Sequence, residues 1–226
     1  MDKDVMKRLL RDAKIPIPKF IVLKMNEYLP SYKSIEEELG TPFFVKPANL
    51  GSSVGVSKVR KKAEYESAVG LAFECDNKIL IEQHIEGREL ECSVLGNDNP
   101  MASVPGEVVP SHEFYSYEAK YIDEKGALLE IPAKISGKIT KRVQQLTIDT
   151  FKTLSCEGLG RVDFFLQNNN KIVVNEINTI PGFTAISMYP RLWEASGISY
   201  TELIDRLIQL ALERFEKEKR LKTIFE

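Results

Sequence analysis

Apolar and polar positions change rhythm several times along the chain. Val5, Met6, Leu9, Leu10 and Ala13 recur at helical spacing, which predicts an amphipathic helix with these five residues inward. "IPIP" at 15–18 stops that helix and leads into the strand-like "KFIVL". A short acidic helix around Ile35–Leu39 is followed by an apolar run ending in Lys46, a glycine-rich turn and a strand over Val56–Val59. A helix from Lys62 to Glu74 and the strand "KILIEQ" (78–83) complete the first part.

After "HIEG" (84–87), the segment "RELECSVLG" alternates as a half-buried strand should. The boundary between two α+β lobes is therefore placed there, giving domains 1–87 and 88–226. The second part continues through "MASVPGEVVP", an irregular stretch at 111–126, a helix from Lys138 to Leu154, and the strands "GRVDFFLQ" and "KIVVNEIN". Ser199 and Glu202 form a capping box ahead of Leu203, Leu207, Leu210 and Leu212, and "EKEKRLKTIFE" reads as a fraying, solvated end.

Composition narrows the class of protein. The 226 residues are 43% hydrophobic and 28% charged, as in a globular chain able to bury a core. A net charge of -2 removes the electrostatic case for nucleic acid or an anionic membrane as partner. No apolar run approaches spanning length and the charged start lacks a signal-peptide core, so the expected location is the cytoplasm. Cys75, Cys92 and Cys156 are far apart and read as reduced, buried thiols.

The chemistry concentrates on two adjacent strands. Arg161 and Asp163 are two apart on one, and Glu176 and Asn178 two apart on the next, so each pair shares a face. An even hairpin loop, which "NN" at its tip suggests, would set Asp163 opposite Glu176. Two carboxylates and an amide oxygen are hard ligands of the kind magnesium takes with phosphate and water. A solvated sheet face with cross-strand charge pairs is the plainer alternative. "NTIPGFT" (178–184) then exposes backbone N–H groups in a turn that can hold an anion, while Ser187 is either a helix-start hydroxyl or a carboxylate contact. "GSSVG" (51–55) is at least a strand-turn-strand hairpin.

Taken in order, "MDK", the lysine and glycine segment around Lys46, "IEQ", "EAKY", "GRVD" and "NEINTIPGFT" resemble the ATP-grasp superfamily and, within it, the D-alanine:D-alanine ligase family. The resemblance runs over almost the whole chain. It implies an ATP-grasp fold with two α+β lobes that hold ATP between their sheets. It also implies an ADP-forming ligation of two D-alanines through a D-alanyl phosphate, for peptidoglycan precursors. ATP and magnesium, two ions or manganese in their place, are the implied cofactors.

Residue by residue, the resemblance assigns Lys3, Lys46 and Lys120 to the ATP phosphates, with Ser52 and Ser53 on a flap over them. Glu82, Gln83 and Ile85 match the linker that binds adenine through backbone groups, and Glu89 matches the ribose-binding carboxylate. Asp163, Glu176 and Asn178 match the magnesium ligands, and Arg161 and the Gly182 N–H match the groups that steady the acyl phosphate and oxyanion. Ser187 and the Met188 N–H match the second D-alanine carboxylate site, and Tyr121, in the covering loop 112–121, matches the position that favours a dipeptide product.

One departure is large. The family carries a further N-terminal domain ahead of "MDK", with a glutamate and a histidine that hold the first D-alanine, whereas this chain begins at that motif. The expectation is a truncated form, a natural fragment or one half of a split enzyme, with the missing domain or a homodimer as partner. A non-catalytic ATP-binding module, or another ATP-grasp carboxylate-amine ligase, is the alternative.

Overall fold

The computed structural model describes residues 2–110, 127–184 and 186–222. Helix α1 (Lys3–Asp12) is capped by Asp2, whose side chain accepts from the Asp4 and Val5 N–H groups. Its inward face differs from the apolar reading: Met6 and Leu10 are buried, but so are Lys3 and Lys7, while Val5 and Leu9 are 51% and 46% exposed. Polar contacts set this rotation. Lys78 Nζ lies 2.5 Å from Asp2 Oδ2 and 3.3 Å from Asp4 Oδ2, and the Lys3 N–H donates to Ala48 O at 2.9 Å.

Four antiparallel strands form the first sheet: β1 (Phe20–Lys24), β2 (Phe43–Pro47), β3 (Ser57–Val59) and β4 (Lys78–Gln83), in the order β1-β4-β2-β3. Cross-strand partners share a face, so Phe43 opposite Gln83 and Val45 opposite Ile81 lie on one side, and Phe44 opposite Glu82 lies on the other. The first side packs with α2 (Tyr32–Leu39) and α3 (Lys62–Cys75) through Phe43, Val45, Ile79, Ile81, Ile35 and Val69. Burial of this apolar layer frees the second side, which carries Lys46 and Glu82, for other use.

The second sheet has the order β10-β9-β5-β7-β8, with β5 (Arg88–Gly96), β7 (Gly106–Pro110), β8 (Ala127–Glu130), β9 (Gly158–Leu166) and β10 (Ile172–Asn178). The short β6 (Met101–Ala102) pairs with β5. Helices α4 (Gly137–Thr153), α5 (Met188–Ala195) and α6 (Tyr200–Lys219) complete the described elements. A core of Leu95, Tyr189, Trp193, Ile198 and Leu203 takes Leu207 and Leu210 from α6. Leu212 is 54% exposed instead, because it falls off that face, and α6 runs on into the charged segment read as fraying, as far as Lys219. Only half of the capping box forms: Ser199 Oγ accepts from the Glu202 N–H at 3.3 Å, while the Glu202 carboxylate turns to Arg206.

By compactness the chain divides into two units. One comprises the described residues of Met1–Glu89, Val108–Leu128 and Phe164–Glu176, and the other those of Leu90–Glu107, Leu129–Asp163 and Ile177–Glu226. The first break falls close to "HIEG", but the units interleave along the later chain. No helix among the described residues is long and apolar enough to cross a membrane.

Candidate functional site

In the first unit a cavity of about 300 Å³ is lined by Lys3, Lys46, Glu82, Ser52, Glu89 and Glu176, among others. Strand alternation puts Lys46 and Glu82 on the same face, where the Lys46 ammonium donates to Glu82 Oε1 at 2.6 Å. A third partner comes from α1. Lys7 Nζ, with its side chain wholly buried, lies 2.7 Å from Glu82 Oε2, an ion pair that falls outside directional hydrogen-bond geometry. It also donates to Asn175 O at 3.1 Å.

One helical turn before Lys7, Lys3 contacts Leu50 O through its ammonium and stands 3.9 Å from Glu176 Oε2. Burial pulls the Lys3 and Lys7 pKa values down, against the opposing pull of Glu176 and Glu82. Burial pushes the Glu82 carboxyl up, yet Lys46 and Lys7 together outweigh it and hold it below its ordinary range. These innermost groups thus combine three ammoniums with two carboxylates. Around Lys3 and Lys46 the local balance is one positive charge, which suits a phosphate group there, while Glu86 and Glu89 line the cavity elsewhere.

The glycine segment is a strand-turn-strand hairpin, since β2 pairs with β3. Its left-handed positions include Ser52 and Ser53, at φ 53° and 60°, as well as Gly55 at 68°. Gly51 has open space around a built Cβ, whereas a Cβ at Gly55 would meet Pro47 Cγ at 2.8 Å and Cys75 Sγ at 2.9 Å. Gly55 is therefore a packing requirement, and Gly51 is not. Past β4, the Gln83 N–H is already taken by Lys19 O at 2.9 Å, so His84 and Ile85 are the next residues of the linker segment. Glu82 acts here through its side chain, a role the sequence reading missed.

Gly87 explains the tight exit of that linker. A Cβ there would lie 2.7 Å from Leu166 O and 2.9 Å from Leu166 C, so the backbone approaches too closely for any side chain.

The second unit holds the other group of expected residues. Arg161 grips Asp163 with two bonds, Nε to Oδ1 at 2.7 Å and Nη2 to Oδ2 at 2.8 Å, and its Nε also lies 2.9 Å from Glu91 Oε2. Bidentate geometry makes this a fixed, charge-assisted pair, and Glu91 is a member that sequence reasoning did not single out. Asn178 Oδ1 accepts from the Ile180 N–H at 3.2 Å. Ser187 sits at the N-cap of α5 without a side-chain cap bond. Its Oγ accepts instead from the Thr184 N–H at 3.1 Å, and a Cβ on Gly182 would lie 3.0 Å from that oxygen. Met188 begins α5 and is buried.

The burial alternation of β9 puts Arg161 and Asp163 on one face, as expected, and Glu176 and Asn178 are both half-buried on β10. The even-loop premise fails. The Gln167 N–H donates to Lys171 O and the Asn170 N–H to Gln167 O, both at 2.9 Å, enclosing three residues with Asn170 at φ 62°. Asn175 and Glu176 are half-buried in succession, so alternation breaks in β10 and strand parity alone does not set its pairing with β9. Among the described residues, no group of three or more His, Cys, Asp or Glu side chains is arranged to hold a metal ion. Two carboxylates with an amide oxygen remain a donor set suited to a magnesium ion that keeps water and phosphate ligands. Lys120 and Tyr121 lie outside the described residues.

Comparison with known proteins gives a consistent result. A family model described as "D-ala D-ala ligase C-terminus" matches residues 9–209. The D-alanine–D-alanine ligase A of Salmonella typhimurium is 56% identical over 224 residues, which cover 99% of this chain and 62% of that protein. The chain thus spans less than two thirds of that relative's length. The solved D-alanine–D-alanine ligase of Coxiella burnetii superposes with a TM-score of 0.87 at 41% identity, covering 97% of this chain and 59% of the other. The Bacillus anthracis D-alanine–D-alanine ligase complexed with ATP does so with a TM-score of 0.80 at 29% identity, covering 96% and 67%.

Proposed function

Because the chain belongs to the D-alanine–D-alanine ligase family, as its C-terminal part with the ATP-grasp fold, we propose that it supplies the ATP- and metal-handling part of an ADP-forming ligase that joins two D-alanines for peptidoglycan precursors. The observation that carries this reading is the cavity of the first unit, where Lys3 and Lys46 stand together in the lining. Lys3 and Lys46 would hold the ATP phosphates, and the loop bearing Ser52 and Ser53 would close over them. Ile85 and its neighbours would meet adenine and Glu89 the ribose, with Lys120 a further phosphate contact. ATP-dependent work on cell-wall precursors fits the cytoplasm.

In the reaction, a carboxylate oxygen of the first D-alanine attacks the γ-phosphorus as its bond to the β-phosphate oxygen breaks, leaving ADP and D-alanyl phosphate. The amine of the second D-alanine then attacks the acyl carbon, loses a proton, and phosphate departs. Arg161 would balance the acyl-phosphate charge and the Gly182 N–H the oxyanion, once Arg161 shares its hold on Asp163. Ser187 and the Met188 N–H, at the start of α5, would bind the second carboxylate, and Tyr121 would favour an amine over a hydroxyl acceptor. Magnesium would be held by Asp163, Glu176 and Asn178, and would supply charge neutralisation of the phosphates. Lobes 1–87 and 88–226 describe the intended division of labour, with an N-terminal domain or a second copy of the chain supplying the remaining first-substrate contacts.

The test is ADP release with ATP, magnesium and D-alanine, for the chain alone and with a relative's N-terminal domain added. D-alanine-dependent ADP and a dipeptide product are expected at least in the second case. ATP binding without D-alanine-dependent turnover in either case would reduce the chain to a nucleotide-binding module.

A further inference from the structure

We propose that Lys7 is a positioning residue for the phosphate end of the nucleotide site, acting on Lys46 through Glu82; this rests on the ATP-binding reading above. Lys7 is fully buried and does not line the cavity, so it does not touch a ligand there. It meets the opposite oxygen of the carboxylate that holds Lys46: Glu82 Oε2 faces Lys7 at 2.7 Å and Oε1 faces Lys46 at 2.6 Å. The carboxylate is thereby fixed from both sides.

Charge gives the second half of the argument. A Lys46–Glu82 pair alone is neutral, and a polyphosphate would find little net attraction in it. Lys7 offsets the carboxylate from behind, so that Lys46 presents an uncompensated positive charge to the cavity. Stability alone does not call for a buried lysine here, because apolar residues of similar volume serve as well or better. The bond from Lys7 to Asn175 O also ties this group to the residue beside Glu176, so one ammonium steadies strands that carry both a phosphate contact and an expected cation ligand. Helical spacing brings Lys3 and Lys7 to the same face of α1, which is why "MDKDVMK" matters beyond its first lysine.

The experiment measures ATP and adenosine affinity of the full chain by calorimetry, for the wild type, Lys7→Met and Lys7→Gln. Expected is a loss of about ten- to a hundredfold for ATP with adenosine changed less than twofold, since a charge removed behind Lys46 is felt only by the phosphates. Lys7→Gln keeps a donor for Asn175 O but no charge, so it should lose ATP affinity as Lys7→Met does. Variants that melt lower yet bind ATP like the wild type, or lose ATP and adenosine affinity alike, overturn the proposal and make Lys7 structural. A wild type that binds no ATP overturns the functional reading beneath it instead. Should both single variants fail to fold, Lys7→Met/Glu82→Leu removes the carboxylate together with the charge that offsets it and leaves Lys46 uncompensated, so ATP affinity within about tenfold of the wild type is expected, and a larger loss would refute action through Glu82.

Discussion

Replacing Glu82 by Gln is the most informative test of the buried charge cluster. The change is nearly isosteric, but it removes the carboxylate 2.7 Å from Lys7 and 2.6 Å from Lys46. Taking one partner from a buried ion pair costs about 3–5 kcal/mol, because the remaining charge is left in a poorly solvating interior. In a chain of this length each kcal/mol moves Tm by about 2–4 °C, so a fall of roughly 6–20 °C is expected. The deficit should depend on pH with a defined sign. Burial already lowers the Lys7 pKa, and without the Glu82 charge that opposes it the pKa falls further. Between that depressed value and the ordinary lysine value of 10.5 the unfolded chain binds the extra proton, so raising the pH restores stability to the variant. Urea titrations of wild type and Glu82→Gln at pH 7 and pH 9.5 check both points. A loss below about 1 kcal/mol at pH 7, or a deficit that does not shrink at the higher pH, would refute the account of this cluster.

Gly87→Ala should cost about 1–3 kcal/mol in chemical denaturation, because its Cβ would stand 2.7 Å from the Leu166 carbonyl oxygen and only a backbone shift relieves that. In the glycine hairpin the two end residues should part company: Gly55→Val lowers Tm through its clash with Pro47 and Cys75, while Gly51→Val leaves Tm unchanged within error. Weakened ATP binding in Gly51→Val would then report on the loop itself. Burial pushes the Cys92 thiol from 9.0 up to about 11, so its contribution is intact below pH 9 and is lost as pH rises through 11. The wild type should therefore lose about 3 kcal/mol more than Cys92→Ala between those values, read from denaturation curves across the range.

Much of the fold was legible because the chain alternates clean periodicities. "KILIEQ" and "RELECSVLG" coincide with β4 and β5, and the helix read from Lys62 to Glu74 differs from α3 by one residue. The errors have physical causes. In α1 the apolar pattern pointed to Val5 and Leu9 as inward, but ion pairs from Lys78 to Asp2 and Asp4 turn the helix so that lysines occupy the buried face. Hydrophobicity is blind to a buried charge with a partner distant in sequence, such as Lys7 with Glu82. The hairpin before β10 shows a related limit. Two asparagines suggested a two-residue turn, and Asn170 does adopt the left-handed conformation, but as the last of three loop residues.

The candidate site divides in the same way. Residue types announced Lys46, Arg161, Asp163 and Glu176, because charged groups inside otherwise apolar strands stand out. They did not announce Glu82 as a carboxylate shared by two lysines, nor Glu91 beside Arg161. A common logic links these two omissions. In each unit a carboxylate from a neighbouring strand holds a cation on which the proposed chemistry depends, Glu82 for Lys46 and Glu91 for Arg161. Fixing a long, flexible cation before ligand arrives lowers the entropy lost on binding, at the cost of a carboxylate that competes with the phosphate for it. Lys7 removes that competition at Lys46. Arg161 faces Asp163 as well as Glu91, so a divalent cation that takes up the Asp163 charge would serve the corresponding purpose there. On the proposed function the two clusters would then solve one electrostatic problem by different means, a resident ammonium in the first and the reaction's own metal in the second.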